Sequence, residues 1–158
     1  MTQKQLARWM AESIKEVFKT MVGIPLSLGE ITSKSSEELV DCVSAVIGMA
    51  GSMSVLVDVC CSRSAGLQIA SALYNEEIRE MNEEVLDAIG ELVNMLTGVI
   101  KGKISKPETH LALTVPFIIS GDRYTIKRPL NATVAQLPLL LPDKSKFEFT
   151  VIIRWRMK

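Results

Sequence analysis

Three polar residues at helical spacing, Asp87, Glu91 and Asn94, are the candidates for chemistry in this chain. An α-helix turns about 100° per residue, so residues four and seven apart return to nearly the same face. With Glu91 at zero, Asp87 falls near about −40° and Asn94 near about −60°, and Val85, Leu86, Ile89, Leu92, Val93, Leu96, Val99 and Ile100 fill the remaining arc. A carboxamide offers a donor and an acceptor but no exchangeable proton near neutral pH, and a carboxylate pairs with cations. Such a set suits holding and orienting polar groups rather than abstracting protons. Ala88, Gly90, Met95 and Gly98 sit beside the stripe, where an idle solvated face usually carries Lys and Glu. Two interior glycines cost a helix about 1 kcal/mol each relative to Ala, which points to close approach of another backbone. A low-profile face with projecting polar groups can enter a partner. Helical geometry alone equally describes a solvated face whose glycines serve internal packing.

The other reactive residue types form no comparable set. Cys42, Cys60 and Cys61 are odd in number and include an adjacent pair, poor material for a disulfide framework or a tetrahedral metal site, so reduced, buried thiols are expected. The single histidine, His110, enters a predicted strand and is expected to be structural. Eighteen Lys plus Arg balance eighteen Asp plus Glu, which removes bulk attraction to nucleic acid or anionic lipid. No charge-free apolar run of about 18 residues exists, so no membrane span is predicted. Charges at Lys4, Arg8, Glu12, Lys15, Glu16 and Lys19 break up the N-terminal segment, unlike a signal peptide, so a soluble cytoplasmic protein is expected. At 158 residues and 47 % hydrophobic content, a single domain spanning 1–158 is expected.

The elements that must position the stripe follow from periodicity. Leu6, Trp9, Met10, Ile14, Val17, Phe18 and Met21 predict a helix from Lys4 to Val22, stopped by Gly23 and Pro25. Val40–Met49 and Ser52–Cys60 predict a hairpin turning at Ala50-Gly51. Ser64 is expected to cap a short helix that fades at Tyr74-Asn75. The longest periodic element, carrying the stripe, runs from Ile78 to Ile104, and Pro107 ends it. Leu111–Ser120 reads as a strand turning at Gly121-Asp122 into Arg123–Lys127, and Thr133–Leu141 with Lys146–Trp155 as a hairpin around Pro142-Asp143. The expected class is α+β, long amphipathic helices packed on a largely antiparallel sheet. A weak internal echo at an offset of 75 residues sets Glu16 against Glu91 and Lys19 against Asn94.

The run Asp87-Ala-Ile-Gly-Glu91-Leu-Val-Asn94-Met-Leu-Thr-Gly98 resembles the helix signature of the CheX/CheC/FliY family of chemotaxis phosphatases. That signature is Asp or Ser, three residues, Glu, two residues, Asn, then 21 or 22 residues and Pro; here 21 residues separate Asn94 from Pro116. The order of hairpin, short helix and strand through Pro116 resembles the family over nearly the whole chain. CheC-like members carry two such motifs and CheX-like members one; with Lys19 in the first helix where Asn is required, the chain is most similar to CheX. The resemblance implies a phosphatase that accelerates hydrolysis of the aspartyl phosphate on a CheY-like response regulator. It assigns Asn94 the orientation of the attacking water, Glu91 pairing with a receiver lysine, and Asp87 and Gly98 partner contact. It further implies no cofactor bound by this chain, Mg2+ held by the partner receiver, and a homodimer. The alternative it leaves open is a non-catalytic receiver-binding or flagellar-switch-like interaction module of the same fold.

Overall fold

The computed structural model describes residues 1–155. Helix α1, Gln3–Val17, starts where the Thr2 hydroxyl accepts the Gln5 N–H at 3.1 Å, and its apolar stripe Leu6, Met10, Ile14 and Val17 is buried. The helix widens into one π-helical turn, Phe18–Val22, and stops at Gly23, whose φ of 79° suits glycine. A short strand β1, Ser27–Leu28, precedes the long hairpin of β2, Ser36–Gly51, and β3, Met53–Ser62. Helix α2 covers Arg63–Tyr74 and helix α3 Glu83–Ile104. Strands β4, Leu111–Leu113, β5, Phe117–Lys127, β6, Thr133–Leu140, and β7, Lys146–Trp155, complete the chain.

The strands form one antiparallel sheet in the order β1-β6-β7-β3-β2-β4, with β5 also on β2. The helices cover one face of it, α1 over β6 and α3 over β2. The odd-numbered side chains Val43–Met49, Val55–Cys61 and Phe147–Ile153 meet Leu6, Met10, Ile89, Leu92 and Leu96 in the main core. In the strand order, β6 under α1 and β2 under α3 flank the central β3–β7 pair. The expected α+β class is observed.

Several boundaries differ from expectation, beginning with the first hairpin, whose β2 starts at Ser36 rather than Val40 and which turns at Ser52 with Ala50 and Gly51 still in the strand. Ser62, not Ser64, caps α2 by accepting the Ala65 N–H at 3.3 Å, and Ser64 instead donates to Asp143 at 2.9 Å. Helix α3 begins at Glu83 because the side-chain Oδ1 of Asn82 accepts the Val85 N–H at 3.2 Å, with Glu83 and Glu84 on the positive end of the helix dipole. Ile78 lies outside the helix, its N–H bound to the Ser71 hydroxyl at 3.0 Å. No turn forms at Gly121-Asp122, since β5 continues through it and pairs with β2 on both sides, and the actual break is at Thr114–Pro116. There the Thr114 hydroxyl accepts the Gly48 N–H at 3.0 Å, and proline has no ladder donor to lose. Cys60 and Cys61 are buried free thiols pushed up by burial, as expected, whereas Cys42 is only half-buried.

Gly51 marks a close approach at the end of the hairpin. A Cβ there would overlap the His110 carbonyl, a backbone atom that cannot step aside cheaply. Gly51→Ala is therefore expected to cost about 2 kcal/mol, seen as a fall in Tm of roughly 4–8 °C for a chain of this size. An unchanged thermal melt would show that the two segments are free to part.

Part of the sheet's second face is covered by its own strands, while Ser54 and Leu56 on it stay exposed. At Asp41 the backbone is left-handed, φ 50°, and the β2–β5 ladder skips the Asp41 and Asp122 pair. Beyond this kink the start of β2 bends over the sheet, so that Glu37 reaches Gln136 on β6 at 3.3 Å although β3 and β7 lie between them. Arg128, its side chain 2 % exposed, clamps the arm: it lies 3.3 Å from Glu37 and 3.8 Å from Glu148, and donates to the Lys34 carbonyl at 3.4 Å. Gln136 adds a bond to Glu148 at 2.9 Å. Asp58 is buried beside this cluster with Oδ1 unpartnered.

Candidate functional site

Helix α3 is the element that carries the predicted residues, and the structure places all of them on its solvent side. Asp87, Glu91, Asn94 and Gly98 are exposed, while Val85, Ile89, Leu92, Val93, Leu96 and Ile100 are buried against the sheet and the other helices. The stripe is longer than the sequence reading had it, since Glu84 and Gly102 continue the same four- and seven-residue spacing and are exposed too. Among the described residues no ion pair engages Asp87, Glu91 or Asn94, whereas the acid Glu12 of α1 pairs with Lys103 at 3.0 Å and with Arg8 at 2.9 Å. The three side chains are therefore open to an incoming group.

The small residues beside the stripe divide into two kinds. Ala88 is buried in a cluster with Ala70, Ile78 and Val85 where α2 meets α3. Gly90 is buried as well, and a Cβ there would sit 3.3 Å from Ile118 Cδ1 of β5. These two serve internal packing, so the low-profile surface is narrower than expected. Gly98 and Gly102 remain exposed, and a Cβ at either meets nothing within 4 Å. Pro116 lies just before β5 and two residues before the Ile118 that fills the Gly90 notch.

These contacts give the stripe two flanks. Ala88, about 60° from Glu91 on one side, faces α2; Gly90, about 100° away on the other, faces β5. Asn94 thus lies toward β5 and Glu91 toward α2. At the C-terminal end of α2 stands Tyr74, 40 % exposed, which the sequence reading did not single out. Partial burial raises its phenol pKa, and the charges of Asp87, Glu91 and Glu84 act in the same direction, so the hydroxyl stays protonated. Its one sequence signal was its place four residues after Ala70, on the side of α2 that packs on α3.

Among the described residues there is no group of three or more His, Cys, Asp and Glu arranged to hold a metal ion. His110 is exposed one residue before β4. No helix among them is long and apolar enough to cross a membrane. The chemistry available on α3 is that of a carboxamide and three carboxylates, Glu84, Asp87 and Glu91, held on a rigid, largely solvent-facing ridge.

Comparison with known proteins places this ridge in context. The sequence profile of the family described as chemotaxis phosphatase CheX matches residues 43–140, which include the whole of α3. The chain is 26 % identical over 143 residues to the CheY-P phosphatase CheX of Thermotoga maritima, covering 90 % of this chain and 91 % of the relative. The chemotaxis protein CheX of Vibrio vulnificus shares its fold with a TM-score of 0.82 at 23 % identity, over 95 % of this chain and 99 % of the other. The CheX of a CheX–CheY–BeF3–Mg2+ complex from Borrelia burgdorferi superposes with a TM-score of 0.78 at 20 % identity, over 93 % and 96 % of the two chains. With well over half of its length matched by the profile, the chain belongs to the chemotaxis phosphatase CheX family.

Proposed function

We propose that this chain is a phosphatase acting on the aspartyl phosphate of a CheY-like response regulator. The observation that carries the reading is the exposed, unengaged set Asp87, Glu91 and Asn94 on one face of α3 in a CheX-family chain. A relative is named for CheY-P phosphatase activity, and another has been seen in complex with CheY, BeF3 and Mg2+.

An acyl phosphate hydrolyses readily, so the chain need only dock and position water. Asn94 holds the attacking water, its Oδ1 accepting one water hydrogen and its Nδ2 donating to the water oxygen or a phosphoryl oxygen. The water oxygen bonds to phosphorus as the phosphorus–oxygen bond to the receiver aspartate breaks; the electron pair stays on the aspartate and the water proton passes to phosphate. Glu91 pairs with a receiver lysine and fixes the register of docking, and Asp87 supports it one turn away. The magnesium ion belongs to the receiver and offsets the charge on phosphorus. A cytoplasmic location and a homodimer complete the proposal; exposed Val115, Phe117 and Ile119 beside one another on the β4–β5 edge support contact with a second copy.

The test is phosphate loss from a panel of phosphorylated receivers with and without the chain, and acceleration of at least one receiver is the expected result. Binding without acceleration in every case would replace this reading by a non-catalytic interaction module of the same fold.

Gly98→Ala separates docking from folding by the sign of two effects. A methyl group in open space on an exposed helix interior is expected to stabilise the chain by about 0.5–1 kcal/mol. The same methyl stands in the path of a closely entering receiver, so the KM for phosphorylated receiver is expected to rise severalfold. A stabilised variant with unchanged KM would exclude Gly98 from the contact surface.

A further inference from the structure

We infer that Tyr74 is a docking residue of the α3 face: its ring and the Glu91 carboxylate together form the seat for an ammonium group of the phosphorylated partner. This rests on the docking reading above and deepens it by naming what stands beside Glu91.

Position comes first. Ala70 and Leu73 of α2 pack with Val85 and Ala88 of α3, and Tyr74 lies one helical turn beyond Ala70 on the same side of α2. Ala88 lies between Glu91 and α2 around the α3 axis, whereas Asn94 lies on the β5 side with Gly90 and Ile118. Tyr74 therefore borders the carboxylate end of the stripe and not the carboxamide end. The left-handed cap at Asn75, φ 51°, ends α2 directly after Tyr74 and leaves the ring at the rim.

Surroundings define what the seat accepts. Asp87, then Glu91 and Glu84, are the carboxylates whose fields reach the phenol. An aromatic face beside carboxylates attracts a cation on two counts, the ring quadrupole and the charge, and it repels a phosphoryl group. The phosphoryl group is thereby directed to the Asn94 end, about 4.5 Å further along the helix at 1.5 Å per residue. The chain's other tyrosine, Tyr124, is half-buried and shares a 2.9 Å hydrogen bond with Ser44. Tyr74 is the aromatic with the location and exposure of a binding anchor on this face.

The experiment titrates the 158-residue chain with a receiver loaded with beryllofluoride and Mg2+, which reads binding without hydrolysis. Tyr74→Ala is expected to raise Kd about tenfold, and Tyr74→Phe, which keeps the ring, to stay within twofold of wild type. Tyr74→Leu keeps apolar packing against α3 but removes the ring, and is expected to bind as weakly as Tyr74→Ala. In a Glu91→Gln background the loss from Tyr74→Ala is expected to shrink below threefold, because ring and carboxylate hold one cation. Wild-type affinity in Tyr74→Ala or Tyr74→Leu overturns the inference, and so does an undiminished tenfold loss in the Glu91→Gln background. Accelerated phosphate loss by wild type together with intact binding by Tyr74→Ala removes the inference alone. Tight binding by wild type without accelerated phosphate loss removes the catalytic reading alone, and the Tyr74 titration still decides the seat.

Discussion

Replacing Asn94 by alanine is expected to reduce stimulated receiver dephosphorylation by at least about a hundredfold, the scale on which removal of one preorganised hydrogen-bonding group acts. The fold is expected to survive unharmed. Asn94 is exposed, so its loss leaves no buried group unsatisfied, and alanine is the better helix former by a few tenths of a kcal/mol. Asn94→Asp is the informative companion. It keeps an acceptor of the same size but loses the donor and adds negative charge facing a phosphoryl group, so its rate is expected to fall as far as that of Asn94→Ala. Glu91→Ala is expected to act differently, raising KM more than it lowers kcat, because its carboxylate touches the partner rather than the reacting atoms. Rates measured over a range of receiver concentrations up to saturation, with a thermal melt on each variant, check all three. A substantial residual rate in Asn94→Ala at unchanged Tm would move the chemistry to another residue.

The candidate face could be read from sequence because it depends on one helix. The 3.6-residue period from Val85 to Ile100 marks the buried arc, and Val85, Ile89, Leu92, Val93, Leu96 and Ile100 are buried as expected, whereas Leu86 and Val99 at its margins are half-buried. Both hairpins were legible for the same reason, that pairing partners lie close in the chain, although the first reverses at Ser52 and not at Ala50-Gly51, which stay in β2. What remained hidden depends on distant segments. Gly90 looked like part of an open surface because nothing in its neighbourhood shows that Ile118 will fill the space above it. Gly121-Asp122 has the composition of a turn, yet β2 extends back to Ser36 and pairs with β5 on both sides of it, so the ladder overrides the local preference. Tyr74 escaped notice because an aromatic at a helix end is ordinary; its meaning comes from the carboxylates of another helix. The Arg128 cluster collects Glu37, Gln136 and Glu148 from three strands, and no spacing in the sequence foreshadows it.

That cluster controls the second large effect, the response of stability to pH. Asp58 is buried, and its pKa is pushed up to about 7 by burial first; Arg128 pulls it down, and Glu148 and Glu37 push it up. Burial and the neighbouring Glu37 raise Glu148 in the same direction. A carboxyl whose folded pKa lies above its unfolded one favours the neutral form in the native state, so stability falls as pH rises from near 4 through about 7 and then levels off. Three pKa units correspond to roughly 4 kcal/mol, which structural relaxation and the attraction of Arg128 reduce. Asp58→Asn removes the ionisable proton at nearly constant volume. It is expected to stabilise the protein by about 2–4 kcal/mol at pH 8, or roughly 5–10 °C in Tm, and by much less at pH 5, where wild-type Asp58 is already mostly protonated. Arg128→Ala is expected to do the reverse, costing about 3–5 kcal/mol by leaving buried carboxylates without their cation, and more at pH 8 than at pH 5. Thermal melts of the three proteins at both pH values decide it. An Asp58→Asn gain that is the same at pH 5 and pH 8 would mean that Asp58 is not the titrating group beneath the arm.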